Sequence, residues 1–286
     1  METRNVFLYW VGKEYKLISI LRQLIYLHST NGKGYKVHLI TNKNIHKYIK
    51  NIPYYFNKLC NAHQADFVRV NVICDYGGIW LDSDTIVVDT LDSLFDYLDN
   101  KKGFFIIQNN EVLWNGIFGS QKQTSLMIEW KKQMMLLLDI RQEKIEWCDI
   151  GNTMLQKMYN NNIQLYDDYK IFNGLDNLYP VNWDQCVTEY LNKPYENYKN
   201  IVREYQPLVV LVNSVYKKIN DKTKKEILEG NLPLNYFINK SVINVYFPKT
   251  FLLNNIINYF MNKFLILGYV PKSFQLPLKI VTGISH

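Results

Sequence analysis

The residues with the clearest chemical potential lie between Ala62 and Asp84, in the stretch AHQADFVRVNVICDYGGIWLDSD. Asp66 and Arg69 stand three positions apart, one helical turn, so they share a helix face. Gly77-Gly78 breaks the run, and Asp82 and Asp84 then flank a single Ser83. Alternate residues of an extended segment project to one side, so both carboxylates can face one cation while Ser83 faces away. Mg²⁺ or Mn²⁺ takes about six oxygens, commonly one or two carboxylates with waters and substrate phosphate oxygens supplying the rest. Two carboxylates and a diphosphate meet that requirement. Asp66 can accept hydrogen bonds from sugar hydroxyls, and Arg69 can present a planar fork to hydroxyls or phosphate. Gly77-Gly78 lets the backbone turn sharply and approach a ligand with no side chain in the way. Each pattern also has a plainer reading. In a chain with 15 Asp an Asp-x-Asp arises by chance about once, as a helix cap or a solvated turn, and Asp66–Arg69 has a surface salt bridge as its plainer alternative.

The elements that must position these groups follow from periodicity. Asn5 to Trp10 (NVFLYW) is expected as a short buried strand. Glu14 to Ser29 places Leu17, Ile18, Leu21, Leu24, Ile25 and His28 on one helical stripe, and Tyr35 to Ile40 is a second strand. Strand, helix, strand with a right-handed crossover gives a parallel pair, the opening of an α/β nucleotide-binding layer. Ligands in such sheets sit at the carboxyl ends of strands, here near Tyr9 and Trp10. Asn61 to Tyr76 reads as a helix stopped by the two glycines. Ile79 to Leu81 reads as a brief buried strand leading into Asp82, and Thr85 to Val88 as extended chain. Further on, Leu91–Leu98, Thr124–Leu138 and Asn152–Asn160 are expected as helices. Strands are expected near Phe104–Gln108 and Ile117–Gly119, and over Pro207–Val212.

Charge is distributed unevenly. Residues 1–60 carry ten Lys/Arg against two acids, residues 61–100 carry one Arg against eight Asp, and residues 230–286 carry five Lys and no acid. An acidic island inside a basic chain (net +7) suits a metal site that meets an anionic ligand. It argues against a nucleic-acid reader, whose Lys/Arg gather into a stripe with a recognisable motif. Cys60, Cys74, Cys148 and Cys186 show neither CxxC nor a His partner at zinc spacing, and are expected as buried thiols in a reducing compartment. The N-terminus lacks an apolar signal core, no run of about 18 apolar residues occurs, and the chain is expected in the cytosol.

The segment ADFVR…YGGIWLDSD resembles the sugar-binding region of DXD-containing glycosyltransferases, written in that group as ASDxxR…YGGxYxDxD. The group includes glycosyltransferase family 32, the capsular polysaccharide synthesis proteins and the large clostridial glucosylating toxins. The match is strong over about 25 residues and extends over about 100 with the FLYW strand and YKVHLITNKNIHKYI. Ala65 replaces the usual Ser and Trp80 the usual Tyr. The resemblance implies a GT-A-like, Rossmann-like mixed sheet flanked by helices. It also implies metal-dependent, retaining transfer of a hexosyl or N-acetylhexosaminyl group from a nucleotide sugar, usually UDP-linked, to a glycan or protein acceptor, with Mn²⁺ or Mg²⁺. By position, Asp84 would coordinate the metal. Asp82 would touch the ribose or donor sugar and reach the metal through water. Asp66 and Arg69 would hold the donor sugar, and Trp10, or Tyr9 beside it, would stack on the uracil. Such families often supply a third metal or diphosphate contact from near the C-terminus. Asn213 and Ser214, with Lys217 and Lys218 for phosphate, are the candidates in VLVNSVYKK, a helix cap being the alternative. Trp114-Asn115-Gly116 and Asp149-Ile150-Gly151-Asn152 are weaker candidates for the cleft.

A catalytic domain is expected over residues 1–229, with a basic, apolar, helical appendage over 230–286. Within the appendage, residues 251–270 read either as a helix closing the core or as an interfacial helix on an anionic membrane. Two other functional readings stay open. A sugar-phosphate transferase would keep the acidic pair without needing Asp66, Arg69 and Gly-Gly. A catalytically silent nucleotide- or glycan-binding subunit would bind UDP without turnover.

Overall fold

A computed structural model of the chain describes residues 4–108, 112–193, 206–211 and 222–246. Numbered along the chain, the strands are β1 (Asn5–Tyr9), β2 (Lys36–Ile40), β3 (Gly78–Leu81), β4 (Thr85–Val87), β5 (Gly103–Gln108), β6 (Val112–Ser120), β7 (Tyr169–Asn173) and β8 (Leu208–Val210). The α-helices are α1 (Lys16–His28), α2 (Asn61–Tyr76), α3 (Asp92–Asn100), α4 (Ser125–Arg141), α5 (Asn152–Asn161), α6 (Gly174–Asn177), α7 (Lys224–Glu229) and α8 (Pro233–Tyr246). The α/β class expected from periodicity is what forms. Two compact units divide these elements, the first built from described residues 4–13, 35–83 and 92–174, the second from 14–34, 84–91 and those between 175 and 246. The boundary expected at residue 229 falls inside the second unit, between α7 and α8.

The first unit holds a six-stranded mixed sheet in the order β2-β1-β3-β6-β5-β7. β1 pairs in parallel with β2, as the strand–helix–strand opening predicts, and on its other side with β3. β6 runs antiparallel to both β3 and β5, and β7 closes the far edge parallel to β5. β1 is buried from Val6 to Tyr9 and β3 throughout, because central strands covered on both faces need continuous apolar runs rather than alternation. Helices α2, α3 and α5 pack on the sheet and α4 packs on α2. The core gathers Phe7, Phe67, Trp80, Phe105, Phe118 and Trp130, with the Phe105 and Phe118 rings stacked at 5.3 Å.

Gly77 and Gly78 end α2 at φ 68° and 125°. The atoms that exclude a side chain there are protein backbone. A Cβ on Gly77 would lie 2.7 Å from Lys122 N, and one on Gly78 would lie 2.5 Å from Asn5 O. The close approach read from sequence as room for a ligand is thus made to β1 and to the turn after β6, and it is what lets β3 slot between its neighbours.

The second unit pairs β4 with β8 antiparallel and packs α1 against β4, α7 and α8. Its core is Leu17, Leu21, Leu24, Ile86, Val209 and Ile238. α7 starts at a capping box. The Thr223 hydroxyl accepts from Glu226 N while the Glu226 carboxylate accepts from Thr223 N, two orphan donors satisfied at once. Residues 251–270, including the segment expected as a core-closing or interfacial helix, lie outside the described residues. Among the described residues no helix is long and apolar enough to cross a membrane.

Candidate active site

Asp66 and Arg69 lie on a buried face of α2, 7% and 5% exposed, so the surface-pair reading does not hold. The Arg69 guanidinium ties three chain segments together. Its Nη1 donates to Asn115 O on β6 at 2.6 Å, and its Nη2 donates to Asp82 Oδ1 at 3.1 Å. Its Nε donates to Ala65 O at 3.4 Å and stands the same distance from Asp66 Oδ1. The plane of charge sits 5.0 Å over the Trp80 ring, close enough for cation–π attraction. Trp80 Nε1 in turn donates to Asp82 Oδ1 at 2.8 Å. Trp80, which departs from the family pattern, thus adds an N–H that orients the acidic group two residues on.

Asn115 completes the cluster. Its Nδ2 donates to Asp66 Oδ1 at 2.8 Å, and its backbone N donates to Asn152 Oδ1 at 2.9 Å. Asp82 N donates to Gly116 O, carrying the β3–β6 pairing one step past the end of β3. Asp66, Arg69, Asp82, Asn115 and Asn152 therefore form one connected polar network. A network of this kind is secure only while every member is satisfied. Burial raises the carboxyl pKa of both Asp66 and Asp82. Arg69 opposes the rise at each, helped by the Asn115 amide at Asp66 and by the Trp80 N–H at Asp82.

Two glycines make room for the carboxylates. A Cβ on Gly116 would meet Asp82 Oδ2 at 2.8 Å as well as the Trp114 ring. One on Gly151 would stand 2.6 Å from Asn115 Nδ2 and 2.9 Å from Asp66 Oδ2. Gly151→Ala is therefore expected to part Asn115 from Asp66 and to lower stability by about 1–3 kcal/mol, as overpacking does. Urea unfolding checks this, and an unchanged midpoint would mean that the two side chains separate freely.

Around this network the remaining sequence candidates fall as follows. Asp82 is 32% exposed along its side chain. Ser83 and Asp84 form a turn rather than the extended run expected, because the buried Ser83 hydroxyl reaches back to donate to Tyr9 O at 2.9 Å. Asp84, half-buried, is the first residue of the 84–91 segment of the second unit. Tyr9 is enclosed, its hydroxyl between Asn42 Oδ1 and Gln64 Oε1, and burial pushes its pKa up. That leaves no open ring face on Tyr9 for a base, whereas Trp10 is half-buried with Nε1 donating to Lys13 O. Asp149 is not part of the network. It braces a loop, accepting from Glu146 N and from Arg141. Asn213, Ser214, Lys217 and Lys218 lie outside the described residues. Asn115, read from the sequence only as a weaker candidate for the cleft, holds Asp66 directly. The available signal was one buried amide inside the apolar run of β6, flanked by glycine.

Among the described residues no three His, Cys, Asp or Glu side chains converge to hold a metal. Fit to a divalent cation rests instead on the Asp82 carboxylate. Oδ1 is taken by Arg69 and Trp80, while Oδ2 is a hard oxygen lying over the space a Gly116 side chain would fill.

Comparison with solved structures finds the apo form of the glycosyltransferase GlyE of Streptococcus pneumoniae TIGR4, at 14% identity and a TM-score of 0.49 over 91% of this chain and 64% of that one. It also finds the PaToxG glycosyltransferase (14%, 0.38, 57% of this chain and 72% of that one) and an active-site mutant of LgtC (12%, 0.42, 73% and 87%). This chain thus covers under two thirds of the GlyE chain. Among curated proteins none matches. From residue 1 to residue 258 the sequence matches the family described as capsular polysaccharide synthesis protein, and the chain belongs to that family.

Proposed function

We propose that this chain is a GT-A-like, metal-dependent glycosyltransferase. It would move a hexosyl or N-acetylhexosaminyl group from a UDP-sugar to a glycan or protein acceptor, with retention at the anomeric carbon. The observation that carries this reading is the buried Asp66–Arg69–Asp82–Asn115 network in a chain of the capsular polysaccharide synthesis family. An ordinary structural salt bridge needs neither a neutral amide wedged on the second carboxylate nor two glycines clearing space beside the carboxylate oxygens.

In this reading Arg69 acts chiefly as an organiser. Three of its five N–H donors are committed to protein acceptors, which leaves at most two for the donor sugar. Its charge holds Asp82 with Oδ1 inward, so Oδ2 meets the ligand side. Asp66, held by Asn115, accepts from sugar hydroxyls at Oδ2 beside Gly151. Trp10 stacks on the uracil. Asp84 and Asp82 would hold Mn²⁺ or Mg²⁺, with Asn213 or Ser214 as the further ligand and Lys217 on the diphosphate. When bound, the metal would stabilise charge on the departing diphosphate and align it. The acceptor oxygen bonds to C1 on the face from which the diphosphate oxygen leaves, and the acceptor's proton passes to that leaving oxygen. Residues 251–270 would either close the core as a helix or supply a peripheral contact with an anionic membrane.

The test is UDP release from a panel of UDP-sugars with Mn²⁺, Mg²⁺ or EDTA. Turnover of at least one donor that needs the metal is expected, with a loss of about 100-fold or more in Asp84→Ala. Absence of both turnover and metal-dependent UDP binding would sink the reading. UDP binding without turnover of any donor would leave a binding subunit.

A further inference from the structure

Trp147 is 69% exposed, on the loop that joins α4 to α5. A large ring left in water is unfavourable unless it meets something, and this one is held there. Backbone φ is positive at two non-glycine positions of the loop, Gln142 (52°) and Cys148 (72°), conformations that L-residues adopt only when the surroundings impose them. The loop is also braced on both sides of Cys148. Asp149 accepts from Glu146 N and from Arg141, and Ile150 O accepts from Trp130 Nε1 at 3.0 Å. Its end, Gly151, abuts Asp66 Oδ2. The strained, braced segment that carries this exposed indole therefore ends against the carboxylate of Asp66.

Beneath it lies His63, one turn before Asp66 on the same face of α2. His63 is 6% exposed, its ring centroid 6.2 Å from that of Trp147 and tilted by 46°. Its Nε2 is fully buried and has no hydrogen-bond partner. A buried polar atom left unpaired is costly and calls for a reason. Here the neighbouring indole is an exposed side chain, whose rotamers exchange on a picosecond-to-nanosecond timescale while its backbone stays braced. Such an exchange would open Nε2 to a ligand hydroxyl.

We propose that Trp147 and His63 form the subsite for the terminal sugar of a saccharide acceptor. The apolar C–H face of the pyranose packs on the indole, as rigid amphipathic surfaces favour, and one ring hydroxyl pairs with His63 Nε2. The assignment rests on the glycosyltransferase reading above, and it selects a glycan over a protein side chain as acceptor.

The test uses the full chain labelled with 5-fluorotryptophan and titrated with methyl hexosides and methyl N-acetylhexosaminides, in the presence of UDP and Mn²⁺. The Trp147 fluorine signal is assigned by its disappearance in Trp147→Phe. A glycoside-dependent shift of that signal is expected. Binding should weaken about tenfold in Trp147→Ala and severalfold in His63→Phe, with the unfolding midpoint of Trp147→Ala unchanged. Metal-dependent UDP release without acceptor should be the same in wild type and Trp147→Ala. If no glycoside moves the Trp147 signal while UDP release persists, the subsite is overturned and the glycosyltransferase reading stands. If a glycoside binds at Trp147 but no donor is ever turned over, the acceptor assignment falls together with the reading it rests on.

Discussion

Arg69→Met is expected to remove about 3–5 kcal/mol of folding stability, a large share of what a domain of this kind has. The reason is what the substitution leaves behind rather than what it takes away. Methionine fills much of the same space beside Trp80. Asp66 and Asp82 then lose their common cation, Asp66 while staying buried and Asp82 with about a third of its side chain exposed, and Asn115 O loses a donor 2.6 Å away. Burial already lifts both carboxyl pKa values against the pull of Arg69. Without that pull, Asp66 must be buried as an uncompensated anion or take up a proton. Two companion variants separate this account from simple loss of packing. Adding Asp66→Asn to Arg69→Met should recover part of the loss, because a neutral amide needs no counter-charge, and the recovery measures the coupling directly. Arg69→Lys should fall between the two. One ammonium cannot present the planar fork that reaches Asn115 O and Asp82 Oδ1 together. Urea unfolding of the four proteins gives the answer. A loss below about 1 kcal/mol in Arg69→Met would place the pair among hydrated ion pairs and remove the case for a buried organising charge.

That network also marks where the sequence could be read and where it could not. β1, α1, β2 and β3 follow from local pattern, since apolar runs and a 3.6-residue stripe ended by turn residues need no knowledge of distant neighbours. α2 was legible as a helix because Gly77-Gly78 stops it, yet its burial was not. His63, Asp66 and Arg69 share one side of α2 and would face solvent on an ordinary amphipathic helix, and here all three are buried, as are Gln64 and Asn71. A polar face turned inward is what a site requires, and composition alone cannot tell it from a wet one. β6 runs from Val112, well before the expected Ile117, because Asn115 and Gly116 interrupt the apolar pattern in order to serve Asp66 and Asp82. β7 (YKIFN) went unread. It is five residues long with Lys170 exposed, and the strand it pairs with, β5, lies about sixty-five residues earlier, a pairing that local periodicity does not carry. The Asp82–Asp84 run was expected to be extended, but the bond from Ser83 to Tyr9 O turns it.

The second unit should lose stability on mild acidification, by roughly 3 kcal/mol between pH 6.5 and 4, through His28 alone. This side chain is wholly buried between α1 and α8. The hydroxyl of Ser241 spends its proton on Val87 O, so toward His28 it can only accept, and the ring must carry its hydrogen on Nε2. Nδ1 is then an acceptor facing the Asn31 amide nitrogen, whose other hydrogen points at Asn244 O and fixes the amide's orientation. A second proton on Nδ1 would set donor against donor in a dry site. Burial accordingly lowers the His28 pKa to about 4, and the nearby Asp89 and the Ser241 bond restore only part of the shift. Above the ordinary His value of about 6.5 the ring is neutral in both folded and unfolded chains and costs nothing. Below it the unfolded chain binds a proton that the folded one refuses until about pH 4, so stability falls as pH falls through that window. Comparing wild type with His28→Gln cancels the carboxylates, which titrate alike in both. Glutamine can donate to Ser241 but takes up no proton, so the variant, less stable at pH 7, should close the gap steadily as the pH drops to 4. By NMR the wild-type His28 ring signals should stay fixed from pH 8 until the pH nears 4. A ring that titrates near 6.5 with no divergence between the two unfolding profiles would mean that the Ser241–His28–Asn31 chain opens to water in the folded protein.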